Sequence, residues 1–302
     1  MISLFWKRTL LFSLMMMLPL ESVASIDVEK RYAQTLQKEY IALSPLQERA
    51  KIKKRNLIIS TILALVVFLL FTYYFKLTGV IIALIMIAAG FYVLKTPDDG
   101  TLDYKHAFKE RVLSSLIDYT YHDSPFTEDE IKNTSLFAAR FKSFSAWDLY
   151  EKGDTSFSYV HIVFDTKENA SVERMNRNIF EGFILKIKHP SHSDAVAVSE
   201  LLRDTVSGMD FTMSSFFADK KGREKRGGFD IYGALEEGDF NKIAALQAEA
   251  IAISFNPEAT YVAFFHRGNP LSVNPSKDFD LQQAKSYAKS VAQLESLIAP
   301  LY

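Results

Sequence analysis

The alternation of apolar and polar positions divides the chain into a membrane-like segment and a larger folded part. Residues 57–75 form a run of 19 without a charge, and residues 77–94 a second run of 18, separated by Lys76. Each is about the length that crosses a hydrocarbon core of ~30 Å at helical rise. Thr78 and Gly79 follow Lys76, so the pattern predicts a tight helical hairpin over 57–94. Phe71, Tyr73, Tyr74 and Phe75 cluster at its tip, with Phe91 and Tyr92 near the other interface, where amphipathic rings are favoured. Gly79, Ala83 and Gly90 share one face of the second run, where small residues let helices approach closely.

Beyond a polar linker, Thr96-Pro-Asp-Asp-Gly100, the period changes. Tyr104, Phe108, Val112, Leu116 and Tyr119 recur at helical spacing and predict a helix over 102–120, ended by Tyr121-His-Asp-Ser-Pro125. Thr127-Glu-Asp-Glu130 reads as a capping box opening a short helix, so its carboxylates serve the helix start before any catalysis. Residues 157–164 and 178–188, rich in β-branched and aromatic side chains, predict an antiparallel pair joined by the polar stretch 165–177. Further strands are expected near 210–217 and 228–232, flanking a basic hairpin loop at 220–228. Asp239 is expected to cap a helix to about residue 250. Residues 251–255 and 260–265 predict a hairpin around Asn256-Pro257. A final helix over 280–299 puts Leu281, Ala284, Ala288, Val291, Leu294 and Ile298 on one stripe. Trp147, with Phe141 and Phe144, is expected in the core. The fold class expected is α+β: a two-helix transmembrane hairpin followed by one antiparallel-sheet domain at 101–302.

Charge sets the orientation. Of 35 Lys/Arg and 36 Asp/Glu, residues 1–94 hold 11 and 5, a net of +6, leaving 24 and 31, a net of −7, for residues 95–302. The segment 26–56 ends in Arg49, Lys51, Lys53, Lys54 and Arg55, directly before the first apolar run. By the positive-inside rule, both flanks of a hairpin and the domain beyond it lie in the cytoplasm, at a bacterial inner membrane. The first 25 residues oppose this. Lys7 and Arg8 precede a short apolar stretch and small residues around Ala24, the layout of an export signal. If that signal is cleaved, the domain is periplasmic. Two other readings are an inert or interfacial extension and an internal start among Met15, Met16 and Met17. The mildly acidic domain argues against nucleic-acid binding.

The chain has no cysteine, which removes disulfides, thiolate catalysis and Cys-based zinc sites. No P-loop, GxGxxG, GxSxG or HExxH occurs, and no cofactor is expected. The nearest constellation to a metal site is His189, His192 and Asp194, whose Pro and Ser neighbours favour a solvated turn. A second basic cluster, Lys220, Lys221, Arg223, Lys225 and Arg226, offers contact with anionic headgroups or simply a soluble loop. Gly182, in Phe180-Glu-Gly-Phe183, reads as a bulge or close-packing position. His161, mid-strand, reads as structural.

Two apolar spans followed by YKHAFKERVLSSLI (104–117), SPFTEDEIKNTSLF (124–137), WDLYEKGDTSFSYVHIVF (147–164) and NIFEGFILKIKH (178–189) resemble the bacterial family called domain of unknown function 3137, over roughly residues 30–300. The resemblance implies a membrane protein with its domain on the cytoplasmic side and hints at a LemA-type membrane partner. It supplies no catalytic residues. The expectation is a non-enzymatic interaction or scaffold domain, with a lipid- or small-molecule-binding module as the alternative and an enzyme third.

Overall fold

A computed structural model describes residues 28–95, 99–137, 140–165, 179–188, 191, 193–200, 223–246 and 251–302. They fall into two compact units, Met1–Leu116 with Ser272–Lys285, and Ile117–Leu271 with Ser286–Tyr302. Residues 101–116 and 272–285 group with the N-terminal helices.

The first unit is helical. A π-helical turn (Tyr32–Leu36) leads into α1 (Gln37–Ala42) and then α2 (Ser44–Lys95). Helical backbone runs through α2 without the loop expected at Lys76–Gly79. No proline follows Pro45 within it, and an isolated glycine costs a helix only about 1 kcal/mol. Next come α3 (Asp99–Phe108), a π-helical turn (Lys109–Leu113) and α4 (Ser114–Ile117). They make up the predicted amphipathic helix, with Tyr104, Phe108, Val112 and Leu116 all buried. Phe279 organises this unit. Its ring lies 5.2 Å from Phe108, 5.7 Å from Tyr40 and 5.6 Å from Tyr32, centroid to centroid. Among the described residues, no helix is long and apolar enough to cross a membrane. Much of 67–94 lies where side chains fall outside the description.

The second unit is a nine-stranded sheet, antiparallel throughout, in the order β1-β2-β3-β4-β9-β8-β5-β7-β6. The strands are β1 (Thr120–His122), β2 (Phe141–Lys152), β3 (Thr155–Phe164), β4 (Ile179–Ile187), β5 (Asp194–Ser199), β6 (Arg223–Arg226), β7 (Phe229–Ala234), β8 (Ile251–Phe255) and β9 (Thr260–Phe265). The expected β3–β4 and β8–β9 pairs form as read. On one face, Val160, Ile162, Phe164, Phe180 and Ile184 pack with Ile131, Leu136 and Phe137 around α5 (Glu128–Asn133). On the other face lie Phe157, Tyr159 and Phe183. Helix α6 (Glu237–Ala244) belongs to this unit, and α7 (Leu281–Ile298) belongs to it from Ser286 onward.

Several expectations are corrected. Residues 121–122 continue into β1, and β2 occupies the stretch before β3. A bulge between Trp147 and Leu149, with Asp148 at φ +60°, breaks the alternation of β2 and leaves Trp147 44% exposed rather than in the core. The basic loop contains β6, a charged edge strand, which is a usual way of protecting an open sheet edge. Glu236, not Asp239, precedes α6, and that helix stops at Ala244. The strand expected at 210–217 and the connection 166–177 lie outside the described residues.

Candidate functional site

Among the described residues, a cleft of about 750 Å³ lies in the sheet unit. It is lined by Glu130, Lys186, Lys188, Asn256, Glu258 and Tyr261, among others. Three separate pieces of chain build it. The Thr127 hydroxyl accepts from the Glu130 backbone N–H at 3.2 Å, starting α5 so that Glu130 projects from its first turn. Alternation along the end of β4 brings Lys186 and Lys188 to one face. The β8–β9 turn supplies Asn256 to Ala259. The end of α5 is tied to that turn, because the Thr134 carbonyl accepts from the Ser254 hydroxyl and, at 3.1 Å, from the Asn256 amide.

Both cleft lysines are paired. Lys186 meets Glu130 at 2.7 Å and lies 5.6 Å over the Tyr261 ring. Burial works to lower the Lys186 pKa, but the Glu130 bond and its neighbours outweigh that and raise it. Lys188 meets Glu151 at 2.6 Å, and that bond holds the Glu151 carboxyl below its ordinary range. The Thr134 hydroxyl donates to the Ile131 carbonyl at 2.7 Å, so it is a capping group rather than a nucleophile. The cleft therefore presents ammonium, carboxylate and amide groups side by side, a surface suited to a polar ligand carrying both charges. Sequence reasoning missed it because its parts are far apart in the chain. The one local signal was Lys186 and Lys188 at a two-residue step at the end of a strand.

A second cluster fixes the β4–β9 seam. The Tyr159 hydroxyl lies 2.9 Å from the Glu181 carboxylate and 3.0 Å from the His266 carbonyl, and the Gly268 N–H donates to Glu181 at 3.2 Å. Burial, then the bond to Glu181, pushes the Tyr159 pKa up, which keeps the phenol a neutral donor. Gly182 faces the β9 backbone at close range: a Cβ there would fall 2.1 Å from the Phe264 carbonyl oxygen. Close packing, one of the two readings of this glycine, is what the geometry gives.

The residues singled out as metal or membrane contacts distribute as follows. Asp194 opens β5 and is exposed, while His189 and His192 lie outside the described residues. The same loop is anchored by serines. Ser191 and Ser193 donate to the Asp239 carboxylate at 3.0 and 2.6 Å, which explains Asp239 better than a capping role does. No group of three or more metal-ligating side chains occurs among the described residues. Of the second basic cluster, Lys225 pairs with Glu200 at 3.0 Å, and Arg226 pairs with Glu237 and stacks 3.7 Å from the Phe240 ring centroid. Lys220 and Lys221 lie outside the description, as does the side chain of Arg223. Of the first cluster, Lys51 meets Asp278 at 2.7 Å and Lys54 donates to Ser276 at 3.1 Å, while Arg49, Lys53 and Arg55 are exposed.

No family model, no curated protein and no solved structure matches this chain.

Proposed function

We propose that this protein is a membrane-anchored interaction module, held at the bacterial inner membrane by a helical hairpin within residues 44–95. The observation that carries the reading is the surface of α2. Ile58, Ile59, Ile62, Leu63, Leu69 and Leu70 are all more than two-fifths exposed within four helical turns. Exposed aliphatic surface on this scale costs roughly 1.5–3 kcal/mol per side chain in water and marks a membrane or partner contact. Counted in the sequence, the uncharged runs 57–75 and 77–94 each have the length of a bilayer span.

Two further observations support a reversal rather than one straight rod. Leu57, Thr61, Ala64 and Phe68 are half-buried at steps of four, three and four, the seam one helix presents to another. Distance makes the second argument. Straight, α2 would carry Lys95 about 75 Å from Ser44. The links and helix from Lys95 to Phe108 recover about 30 Å at most. Yet Phe108 and Tyr40 both pack on Phe279. A reversal within the helical run of α2 would meet both constraints.

With a hairpin, the basic flank and the α+β domain share one compartment, and the positive-inside rule makes it the cytoplasm. A working export signal in residues 1–25 would instead place them in the periplasm. The cleft between Glu130, Lys186 and Glu258 favours a second reading, a small polar ligand bound at the membrane surface. The family resemblance adds a LemA-type protein as the partner to test first. Alkaline carbonate extraction of membranes from cells expressing the full chain tests the anchor. The protein is expected in the pellet, and its release into the supernatant would remove the reading.

A further inference from the structure

Pairing narrows what the cleft in the sheet unit can hold. Each of its lysines is matched to a carboxylate, Lys186 to Glu130 at 2.7 Å and Lys188 to Glu151 at 2.6 Å. Their positive charge is therefore already answered by the protein. Glu258 is different. Its carboxylate lines the cleft, and among the described residues it makes no hydrogen bond or ion pair; the Asn133 side-chain amide makes none either. Lys186 and Lys188 stand against Glu130, Glu151 and Glu258, which leaves one negative charge, at Glu258.

The walls that carry these groups are tied to each other. Asn133 ends α5, and Glu258 sits in the β8–β9 turn. The Thr134 carbonyl, one residue after Asn133, accepts from the Ser254 hydroxyl and the Asn256 amide, and the Asn256 N–H closes the turn on the Ala259 carbonyl at 3.2 Å. Those bonds spend the Asn256 amide nitrogen and leave its side-chain oxygen as an acceptor. A carboxylate and two amide oxygens held on a fixed frame call for a charged donor, an ammonium. A second ammonium on the same ligand would meet Lys186 and Lys188 and be repelled, which disfavours a polyamine. A neutral hydroxyl suits the N–H groups those lysines keep after pairing, because it asks for no further charge. At about 750 Å³ the cleft has room for both groups on one small molecule. We infer that the cleft binds a hydroxylated primary amine, of the amino alcohol or amino sugar class, with its ammonium on Glu258, Asn133 and Asn256. The inference rests on the small-ligand reading of the cleft and gives that reading its ligand class.

The test is titration calorimetry on the full chain in detergent, with serinol (the amine analogue of glycerol), glycerol and glycerol phosphate. Wild type is expected to bind serinol at least about tenfold more tightly than the other two, the worth of one charged hydrogen bond. Glu258→Gln is expected to lose that preference, and Asn133→Ala to weaken serinol about fivefold. Glu128→Gln removes a carboxylate that pairs with Lys132 outside the cleft, and it is expected to leave serinol binding unchanged. Three results would overturn the inference: equal binding of serinol and glycerol by wild type, full serinol affinity in Glu258→Gln, or an equal loss in Glu128→Gln. Tighter binding of glycerol phosphate, abolished by Lys188→Gln, would overturn the amine assignment and leave the small-ligand reading standing. No binding of any of these probes would remove both. Glycerophosphoethanolamine separates the sources of the amine: binding it more tightly than serinol supports the inference with a lipid headgroup as the source, and binding it more weakly supports a free amine.

Discussion

Gly182→Ala tests the seam on which the sheet depends. The β4–β9 pairing, from Gly182↔Phe265 to Ile187↔Thr260, joins strands β1–β4 to the other five. A Cβ at Gly182 would lie 2.1 Å from the Phe264 carbonyl oxygen and 2.9 Å from the His266 nitrogen. Both are backbone atoms, so no rotamer relieves the overlap. A carbon needs about 3.3 Å from a carbonyl oxygen, so the strands must part by roughly 1 Å. Overpacking costs about 1–3 kcal/mol. Loosening the His266 N–H to Glu181 carbonyl bond, now 3.0 Å, and one neighbour adds about 1 kcal/mol each. The total is about 3–5 kcal/mol, or a fall in Tm of roughly 6–20 °C at ~2–4 °C per kcal/mol. Thermal melts followed by circular dichroism would measure it. Gly153→Ala is the control, with φ +58° but open space around its Cβ, and its strain is worth about 1–2 kcal/mol. If Gly182→Ala melts as high as Gly153→Ala, the close approach of β9 has been misjudged.

The loop held by the basic helix should show its own pH dependence. The Lys51 bond, then the Lys51 charge and the Tyr40 bond, lower the Asp278 pKa from the ordinary 3.8. A depressed carboxyl stabilises the fold above that value, and the contribution fades as pH falls through the folded pKa. Wild type should therefore melt above Asp278→Asn at neutral pH, and the gap should close only below about pH 4; a gap unchanged at pH 3 would refute the pairing. At the serine-anchored loop, Ser193→Ala removes a 2.6 Å donor to Asp239 and the acceptor of the Glu236 N–H. The expected cost is about 1.5–3 kcal/mol in denaturant unfolding, and a change under ~0.5 kcal/mol would refute it.

Periodicity revealed the elements whose apolar residues keep step with their backbone. The helix through Tyr104, Phe108, Val112 and Leu116, the β3–β4 and β8–β9 pairs, and the stripe of α7 were legible for that reason. The Thr127 cap was legible because its chemistry is local. Strand β2 was not. Its bulge at Asp148 shifts the alternation, and half its residues are polar. Edge strand β6, Arg-Glu-Lys-Arg, reads as a loop because an edge needs charge more than burial. The cleft was hidden for another reason: Glu130, Lys186 and Glu258 meet only through the fold. Likewise the sequence marks five cations at 49–55 as one cluster, and the 275–278 loop that claims Lys51 and Lys54 arrives from more than 200 residues away.

The absence of native cysteine gives the central claim a direct measurement. Single cysteines at Glu48, Thr78 and Glu258 can be labelled with a membrane-impermeant maleimide in spheroplasts and in inside-out vesicles. The account predicts that Glu48→Cys and Glu258→Cys label only in inside-out vesicles, and Thr78→Cys only in spheroplasts. Labelling of Glu48→Cys and Glu258→Cys from opposite sides would contradict it.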